Sequence, residues 1–274
     1  MQNVRITILI ENTAYQAGLK TEHGLSLWIE YGNNKILFDA GQSDSLLYNA
    51  KTLAIDLAQI NAIVISHGHY DHTGGLHSVI NVASEARVYL HPAATEPKYS
   101  QKNAEAKYIG MSESAKKAIQ NCMLTWTAAP AQIIPGISVT GQVPRINDYE
   151  DVGGAFFNDQ ILQKPDQLFD DQSLFIESSK GLIVVFGCAH AGVVNTLDYI
   201  SKLTGQKNIY AMIGGMHLIN ASPIRIENTI EVFKKYQIQK VIPLHCTGHK
   251  AIDAMKSAID EKCLCLGSGG QIKF

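Results

Sequence analysis

The sequence predicts a mixed α/β protein in which helices cover the outer faces of β-sheets. Three observations support this fold class: short β-branched runs typical of strands, a hairpin turn early in the chain, and strand–helix alternation late in it. An all-parallel doubly wound sheet would alternate strand and helix throughout. The 274 residues contain no internal repeat, low-complexity tract or linker, so we expect one domain over 1–274 with a sizeable core.

The strands are predicted from β-branched content and from run length. Gly32-Asn33-Asn34 makes a hairpin of the second and third strands, and Ser178-Ser179-Lys180-Gly181 is a turn between two later ones. The predicted strands are Val4–Ile10, Leu25–Tyr31, Lys35–Asp39, Ala62–Ser66, Arg87–His91, Ile133–Thr140, Leu174–Glu177, Leu182–Phe186, Ile209–Ile213, Lys240–Leu244 and Cys263–Leu266.

Helical periodicity predicts six helices, three in each half of the chain. Ser222-Pro223 is a strong start signal, because a hydroxyl cap precedes a proline whose missing N–H costs nothing in the first turn. The predicted helices are Ser43–Leu53, Gly75–Ala83, Ser112–Ile119, Gly192–Leu203, Pro223–Tyr236 and Gly248–Ile259. The polar, helix-prone segment 92–130 is predicted to be a helical insertion or lid beside the main body.

The charge balance gives no reason to expect nucleic acid or an anionic membrane as a partner. There are 23 Lys and Arg residues against 25 Asp and Glu residues, a net charge of −2. The N-terminal apolar run is too short for a signal peptide, and five cysteines form no even framework, so we expect a cytoplasmic protein. The expected partner is a small-molecule substrate, and the sequence leaves the oligomeric state open.

Three histidines and an aspartate fall within six residues directly after the buried strand at Ala62–Ser66. In an extended stretch His67 and His69 share a face, so one ion can take both, while Asp71 and His72 begin the next turn and can serve another. A lone loop histidine is ordinarily exposed or satisfied locally. Four polar groups buried together without a cation would be costly, so the pattern favours a metal site.

Further metal ligands should then follow other strands, where α/β proteins gather their functional groups. His190 and His245 each follow an apolar strand and are candidate metal ligands. His217 also follows a strand and is a candidate metal ligand, whose alternative role is to bind substrate or to orient a ligand. His23, His77 and His249 have no partner pattern and are predicted to be surface or packing residues, and His91 to be structural or at a pocket rim.

The pattern His67-x-His69-x-Asp71-His72 resembles the signature of the metallo-β-lactamase superfamily, and the resemblance covers essentially the whole chain. It implies a four-layer αββα sandwich with a dinuclear site at the edge between two sheets. Gly-Cys-Ala-His-Ala-Gly, Gly-Gly-Met-His-Leu and His-Cys-Thr-Gly are similar to the branch named for a 7,8-dihydropterin-6-methyl-4-(β-D-ribofuranosyl)aminobenzene-5′-phosphate synthase.

Carried over residue by residue, the resemblance implies that His67 and His69 bind the first metal. Asp71, His72 and His245 are then ligands of the second. The middle of the family pattern departs from the usual histidine and bridging aspartate, so Asp171, Cys188 and His190 compete for two positions. We favour His190 on the first metal, with Asp171 as an additional ligand or a partner of one, and Cys188 remains a candidate for either role.

The function implied is that of a metallo-hydrolase, or an enzyme of a related condensation such as a dihydropterin-type phosphate synthesis. Two divalent cations, zinc in the first instance with iron or manganese as alternatives, would generate a bridging hydroxide that attacks a small anionic substrate. Asp71 and His217 are the candidate catalytic residues. Arg145, His217 and Asn195 are candidates for substrate binding, Arg145 by gripping an anion and Asn195 at a helix N-terminus.

Two other functions are compatible with such a metal site. One is a di-iron redox protein, although the flavin-linked branch usually has a carboxylate at the position of His69 and an added flavodoxin domain. The other is a non-catalytic metal-binding or sensing module, which would need a ligand set too incomplete to leave an open position. Nuclease action would call for a basic surface tract, and none is present.

Overall fold

Apolar, largely β-branched runs form the strands, and many strands are buried on both faces. The computed structural model describes residues 2–103 and 105–274. The strands are β1 (Val4–Ile10), β2 (Ser26–Tyr31), β3 (Asn34–Phe38), β4 (Ala62–Val64), β5 (Arg87–Leu90), β6 (Tyr99–Lys102), β7 (Glu105–Tyr108), β8 (Met123–Trp126), β9 (Ala131–Ile134), β10 (Ile137–Val139), β11 (Phe156–Phe157), β12 (Leu174–Ser178), β13 (Gly181–Phe186), β14 (Ile209–Gly215), β15 (Lys240–Leu244) and β16 (Gln271–Lys273). The helices are α1 (Ser45–Thr52), α2 (Tyr70–Thr73), α3 (Leu76–Val82), α4 (Glu113–Gln120), α5 (Val193–Thr204), α6 (Pro223–Lys235) and α7 (His249–Ile259).

Two large sheets organise these strands. The first has seven strands in the order β16-β1-β2-β3-β4-β5-β8, and the second has six in the order β15-β14-β13-β12-β10-β9. Each sheet passes from an antiparallel region into a parallel one, which runs through β3, β4, β5 and β8 in the first sheet and through β13, β14 and β15 in the second. The carboxyl ends of these parallel strands supply the loops that carry the candidate site.

Three apolar layers show how the sheets and helices stack. On β13, Ile183 and Val185 belong to a core shared by both sheets, whereas Leu182, Val184 and Phe186 face α5, α6 and α7. The outer face of the first sheet packs in the same way on α1, α3 and α4. Helices therefore cover the outside of two sheets that pack face to face, which confirms the four-layer αββα sandwich.

Two predicted strands differ from the structure, and a short strand near the end of the chain was not predicted. The single strand expected over Ile133–Thr140 is a hairpin of β9 and β10, because Pro135-Gly136 turns the chain and Gly136 has φ +88°. Cys263–Leu266 is not a strand; Cys263 forms only an isolated bridge to Val241. The strand that follows it, β16, was not predicted because it is only three residues long and its outer two side chains are exposed.

The segment 92–130 is not the helical insertion that the sequence predicts. It contains one eight-residue helix, α4, and three strands, and the last of them, β8, pairs with β5 and so completes the first sheet. The other two, β6 and β7, form a hairpin that pairs with β11 in a separate three-stranded sheet. Both faces of the β6–β7 hairpin are largely solvated, so its side chains are mostly polar and give no apolar pattern from which strands could be predicted.

None of the helices within the described ranges combines the length and the apolar character that crossing a membrane requires.

Candidate metal centre

The loops that leave β4, β13 and β15 bring the predicted ligands to one rim of the sandwich. His67 and His69 follow β4, Asp71 and His72 lie in the short helix α2, and the remaining ligands follow strands of the second sheet. These are Cys188 and His190 after β13, and His245 after β15. Because both sheets contribute, residues far apart in sequence meet at the seam between the sheets.

The seam is closely packed at the end of β13. A side chain at Gly187 would place its Cβ 2.0 Å from Ser66 Oγ, so only glycine allows this approach between the two sheets. Ala189, His217 and His245 have left-handed backbone φ values of 53°, 44° and 53°. Such conformations are unfavourable for residues other than glycine, and they concentrate at functional sites.

His67, His69 and His190 form what we call the first metal position. Their ligand atoms lie within 4.8 Å of one another, and His67 Nε2 is 2.9 Å from His69 Nδ1. His69 Nε2 and His190 Nε2 are buried without a hydrogen-bond partner among the described residues. Buried, unpaired imidazole nitrogens that converge on one point fit a cation.

Hydrogen bonds on the opposite side of the rings select the tautomer of two of these histidines. His190 Nδ1 lies 2.8 Å from the Val152 carbonyl oxygen and donates to it. His67 Nδ1 is 2.9 Å from Ser66 Oγ, which in turn donates to Asp39 Oδ2 at 2.7 Å. Each ring therefore presents an unprotonated Nε2 to the first metal position.

Burial keeps the first metal position neutral. It lowers the pKa of His67 and of His190 well below the ordinary histidine value, and it lowers the pKa of His69 to about 3. Neutral imidazole is the form that binds a metal ion, so no proton has to leave these ligands at neutral pH.

Asp71, His72 and His245 surround what we call the second metal position, where Asp71 and His245 share a potential metal group with His23. Asp71 Oδ2 lies 3.3 Å from His245 Nε2 and 3.8 Å from His72 Nε2. His72 Nδ1 is 2.6 Å from Asp39 Oδ2, and His245 Nδ1 is 3.1 Å from Asn12 Oδ1. Nε2 of both rings is thus directed toward the Asp71 carboxylate.

The second metal position is charged. Burial would raise the pKa of Asp71, but the imidazoles of His72, His23 and His245 outweigh it and lower the pKa well below its usual range. Burial would likewise lower the pKa of His72, yet the carboxylates of Asp39 and Asp71 raise it to about 9. A carboxylate with so low a pKa is better suited to bind a cation than to accept a proton.

The structure distinguishes Cys188, which lies among potential metal ligands, from Asp171, which within the described ranges does not. Cys188 Sγ is 3.2 Å from His72 Nε2, and this thiol shares potential metal groups with His67 and His72 and also with His245 and Cys246. Asp171 joins no such group among the described residues. Its Oδ2 accepts a hydrogen bond from the Ala191 N–H, and burial raises its pKa to about 6. Asp171 therefore supports the turn that carries His190.

His217 lies beside the first metal position. Its ring centroid is 4.3 Å from that of His190, and its Nε2 is 3.2 Å from the Gly153 carbonyl oxygen. Its Nδ1 is buried without a partner among the described residues. His217 can also share a metal group with Cys188 and His190, so the structure leaves it both of the roles expected from the sequence.

Asn195, a predicted substrate-binding residue, already has protein partners for its side chain and its backbone N–H. The two Glu150 carboxylate oxygens accept hydrogen bonds from the N–H groups of Val194 and Asn195, so the chain's own acid fills the start of α5. The Asn195 side chain bonds the backbone of Ile146, Asn147 and Ala191, and it is buried. The prediction of an anion site at this helix N-terminus is therefore wrong, because Glu150 already occupies its N–H groups.

Arg145 donates its two terminal nitrogens to backbone carbonyl oxygens. Nη1 is 2.6 Å from the Gln167 oxygen and Nη2 is 3.2 Å from the His190 oxygen. The guanidinium therefore holds the loop of a metal ligand in place, and only its Nε lacks a partner among the described residues. Two of the five guanidinium N–H groups are thus used, and the unpaired Nε remains a candidate donor to a substrate.

Several residues of the site were not predicted from the sequence. The Asp39 carboxylate accepts hydrogen bonds from Ser66 and His72, as described above. Its only signal in the sequence is that it directly follows a buried strand. His23, predicted to be a surface residue, has its Nε2 3.3 Å from Asp71 Oδ2 and its ring 4.7 Å from that of His245. Phe156 lies against His69, with ring centroids 5.2 Å apart.

Buried ion pairs support the loop that carries His67 and His69. Asp170 Oδ2 accepts a hydrogen bond from the Gly68 N–H, and its Oδ1 pairs with Lys98 Nζ at 2.9 Å. Lys98 also pairs with Asp166 at 2.9 Å and is almost fully buried. Lys98 is thus fully paired, and through Asp170 it stabilises the loop that carries His67 and His69.

An αββα sandwich in which histidines and an aspartate converge where the two sheets meet is typical of a class of metal-binding enzymes. The family model for the metallo-β-lactamase superfamily matches residues 20–198, and the chain belongs to this superfamily. A Methanocaldococcus jannaschii protein named 7,8-dihydropterin-6-methyl-4-(β-D-ribofuranosyl)-aminobenzene-5′-phosphate synthase is 33% identical over 293 residues, covering 100% of this chain and 98% of the relative. An uncharacterised protein of the same organism is 36% identical over 249 residues, covering 90% and 92%.

Solved structures agree with this assignment. One described as a metal-dependent hydrolase of the β-lactamase superfamily has a TM-score of 0.85 and 30% identity, with 98% of each chain covered. YhfI, a metallo-β-lactamase fold protein from Bacillus subtilis, has a TM-score of 0.61 at 13% identity, with 100% of each chain covered. The second likeness is one of fold alone.

Proposed function

We propose that this protein is a metal-dependent hydrolase-type enzyme with a dinuclear centre, zinc in the first instance, that acts on a small anionic substrate. The supporting observation is the pair of adjacent ligand groups at the sheet seam. His67, His72, His190 and His245 each have the outer ring nitrogen bonded to a protein group, which leaves the inner one for a cation.

Divalent cations at these positions would lower the pKa of a bound water and polarise the substrate oxygen under attack. The protein's own groups set the geometry around them. The buried pair of Ser66 and Asp39 keeps His67 and His72 in the binding tautomer. We propose that His217, whose Nδ1 is unpaired, contacts the substrate or takes up its proton, and that Asp71 acts first as a ligand.

We propose that the three-stranded sheet of β6, β7 and β11 covers the substrate. Phe156 on β11 lies within 5.2 to 6.1 Å of the ring centroids of His69, His190 and His217. It gives the metal centre one apolar wall, against which a flat ring could stack. This part of the structure would serve as the lid that the sequence places around 92–130.

We also propose a narrower reaction, the synthesis of a phosphorylated pterin compound. The support is the full-length likeness to the archaeal relative, whose name joins a reduced pterin to a ribofuranosyl-aminobenzene phosphate. A cytoplasmic location is proposed as well, since all five cysteines are free, as a reducing compartment would keep them.

Metal analysis combined with a substrate screen tests the proposal. Purified protein should carry about two equivalents of divalent metal, with a featureless visible spectrum for zinc, whereas a di-iron redox centre would absorb. The screen should include phosphodiesters, lactones, thioesters and β-lactams, and mass spectrometry should follow the condensation of reduced pterins with ribofuranosyl-aminobenzene phosphate.

Turnover that disappears with a chelator and returns with metal would support the proposal. A fully loaded protein without turnover in the whole screen would favour the sensing module, and loading with a single equivalent would exclude the dinuclear centre.

A further inference from the structure

A cleft of about 210 Å³ is lined in part by His217. Its lining includes Asn220, Ser222 and Arg225. Since the His217 ring also lies 4.3 Å from the His190 ring, this side chain adjoins both the cleft and the first metal position. Pockets that enclose a whole drug-sized ligand measure roughly 300–1,000 Å³. The cleft is therefore suited to one group of a substrate.

Arg225 is a buried cation with unused donors. Its side chain is 4% exposed, and Nη1 donates to Asp151 Oδ1 at 2.6 Å. Nε and Nη2 are buried and have no hydrogen-bond partner within the described ranges. A buried donor left unpaired is costly, and a guanidinium fork matches the oxygens of a phosphate. Arg225 thus has the chemistry of an incomplete anion site.

Other positive groups near the centre are already committed. Lys98 is held between Asp166 and Asp170, and Arg145 gives both terminal nitrogens to carbonyl oxygens. The N–H groups at the start of α5 are taken by Glu150. Among the described residues, Arg145 keeps one unpaired nitrogen, Nε, whereas Arg225 has two, Nε and Nη2, so Arg225 offers an anionic substrate the larger set of unpaired donors.

The present partner of Arg225 is easily displaced. Asp151 is 80% exposed, so this carboxylate regains water when it leaves, and an incoming anion would keep the buried guanidinium paired. Asp151 Oδ1 also accepts a hydrogen bond from the Gly153 N–H, so the loop keeps this carboxylate near the cleft without burying it. An arriving phosphate could replace the carboxylate on the guanidinium at small cost.

We propose that Arg225 binds a phosphate monoester group of the substrate in this cleft, while the reacting atoms lie beyond His217 at the metal positions. The inference rests on the proposed function, because it specifies the anionic end of that substrate. Arg225 would determine specificity and would not take part in the bond-breaking step.

Inorganic phosphate is the probe for a test that needs no turnover. Metal-loaded protein with ¹⁵N-labelled arginine would be titrated with phosphate, and the Arg225 Nε–H signal, assigned by its loss in Arg225→Lys, would be followed by NMR. We expect a saturable shift of this signal. In calorimetry, Arg225→Met should weaken phosphate binding by about tenfold or more, and Arg5→Met, which removes a half-exposed arginine paired with Glu30, should not.

Asp151→Asn separates an anion site from a structural ion pair. The amide oxygen can still accept from the Gly153 N–H and from Arg225, but the competing charge is gone. We expect phosphate to bind up to about fivefold more tightly to this variant. If Asp151 merely stabilises the fold, the variant would be less stable and would bind phosphate no more tightly.

The inference would be overturned by an Arg225 signal that does not move with phosphate in either wild type or Asp151→Asn. Equal phosphate affinity in Arg225→Met and wild type would overturn it too, since binding would then be at the metal ions alone. Failure of the proposed function looks different, because it leaves phosphate binding intact while the loaded protein turns nothing over. Where turnover is found, Arg225→Met should raise KM for a phosphorylated substrate and leave a neutral analogue unaffected.

Discussion

The two metal positions lie side by side but differ in charge. The first consists of three buried imidazoles whose pKa values are lowered by burial, and the described structure places no carboxylate among them. The second surrounds Asp71 with imidazoles, and His23, whose side chain is 57% exposed, stands beside it. The same ligand type therefore works in two electrostatic environments, one neutral and the other charged, although the ligands of both positions are buried.

This contrast predicts different costs of loading. A cation entering the first position displaces no proton, but it must give up its water in a buried site. A cation entering the second position meets an ionised carboxylate and must first remove a proton from His72. The four predictions that follow test this contrast, from the largest expected effect to the smallest.

His69→Ala should break the first position. Metal at this position and turnover should fall to background, while the fold remains, because the three apolar layers do not include His69. Metal analysis and circular dichroism measure the two effects. His249→Ala, an exposed histidine at the start of α7, is the control. A variant that keeps both ions and its full rate would remove His69 from the ligand set.

Asp39→Asn should weaken both positions at once. Asp39 serves His72 directly and His67 through Ser66, and loss of such a supporting carboxylate typically costs about 10- to 100-fold in metal affinity. Competition with a chelator measures the affinity, and Asp253→Asn on the exposed side of α7 is the control. If only the second position lost affinity, the hydrogen bonds that link Asp39 to His67 through Ser66 would have no role in metal binding.

Proton release should distinguish the positions in the unaltered protein. The His72 pKa of about 9 means that metal binding at the second position releases one proton at pH 7. Affinity there should rise by about tenfold per pH unit up to pH 9, whereas the first position should be insensitive to pH over this range. Calorimetry in buffers of different ionisation enthalpy counts the protons, and equal release at both positions would contradict the contrast.

His23→Ala should have the smallest effect. The hydrogen bond to Asp71 raises the pKa of His23, so its protonated ring competes with a cation for the carboxylate. Removing the ring should tighten the second position by up to about fivefold at pH 6 and by less at pH 8, because the exposed pair is screened. Weaker metal binding in the variant would instead identify His23 as a ligand.

Much of the fold was predictable because apolar runs on β1, β13 and β15 and the capped start of α6 are strong local signals. The strands of the insertion were not, since their side chains are largely polar and two of their pairings, β6 with β11 and β8 with β5, are with strands outside the segment. Cys263–Leu266 shows the converse error. Its alternating pattern is typical of a strand, but Cys263 makes only one bridge, to Val241.

The site was predictable where a ligand follows a buried strand, as for His190 and His245. It was not where a role depends on what lies across the seam. Asp39 and His23 have no motif, and Arg225 occupies a helix position that resembles a solvated surface charge. Asn195 was placed at the right helix start, but Glu150, distant in sequence, already occupies it.

The placement of ligands on both sheets has a consequence for the lifetime of the protein. An ion held by His67 and His190 ties together two halves of the chain that otherwise meet through apolar packing and hydrogen bonds. Metal at 100 times its dissociation constant would add about 2.7 kcal/mol to the free energy of unfolding. Opening of the seam, and with it proteolytic cleavage, would then become rarer as metal becomes more plentiful, so that metal supply governs how long each molecule survives.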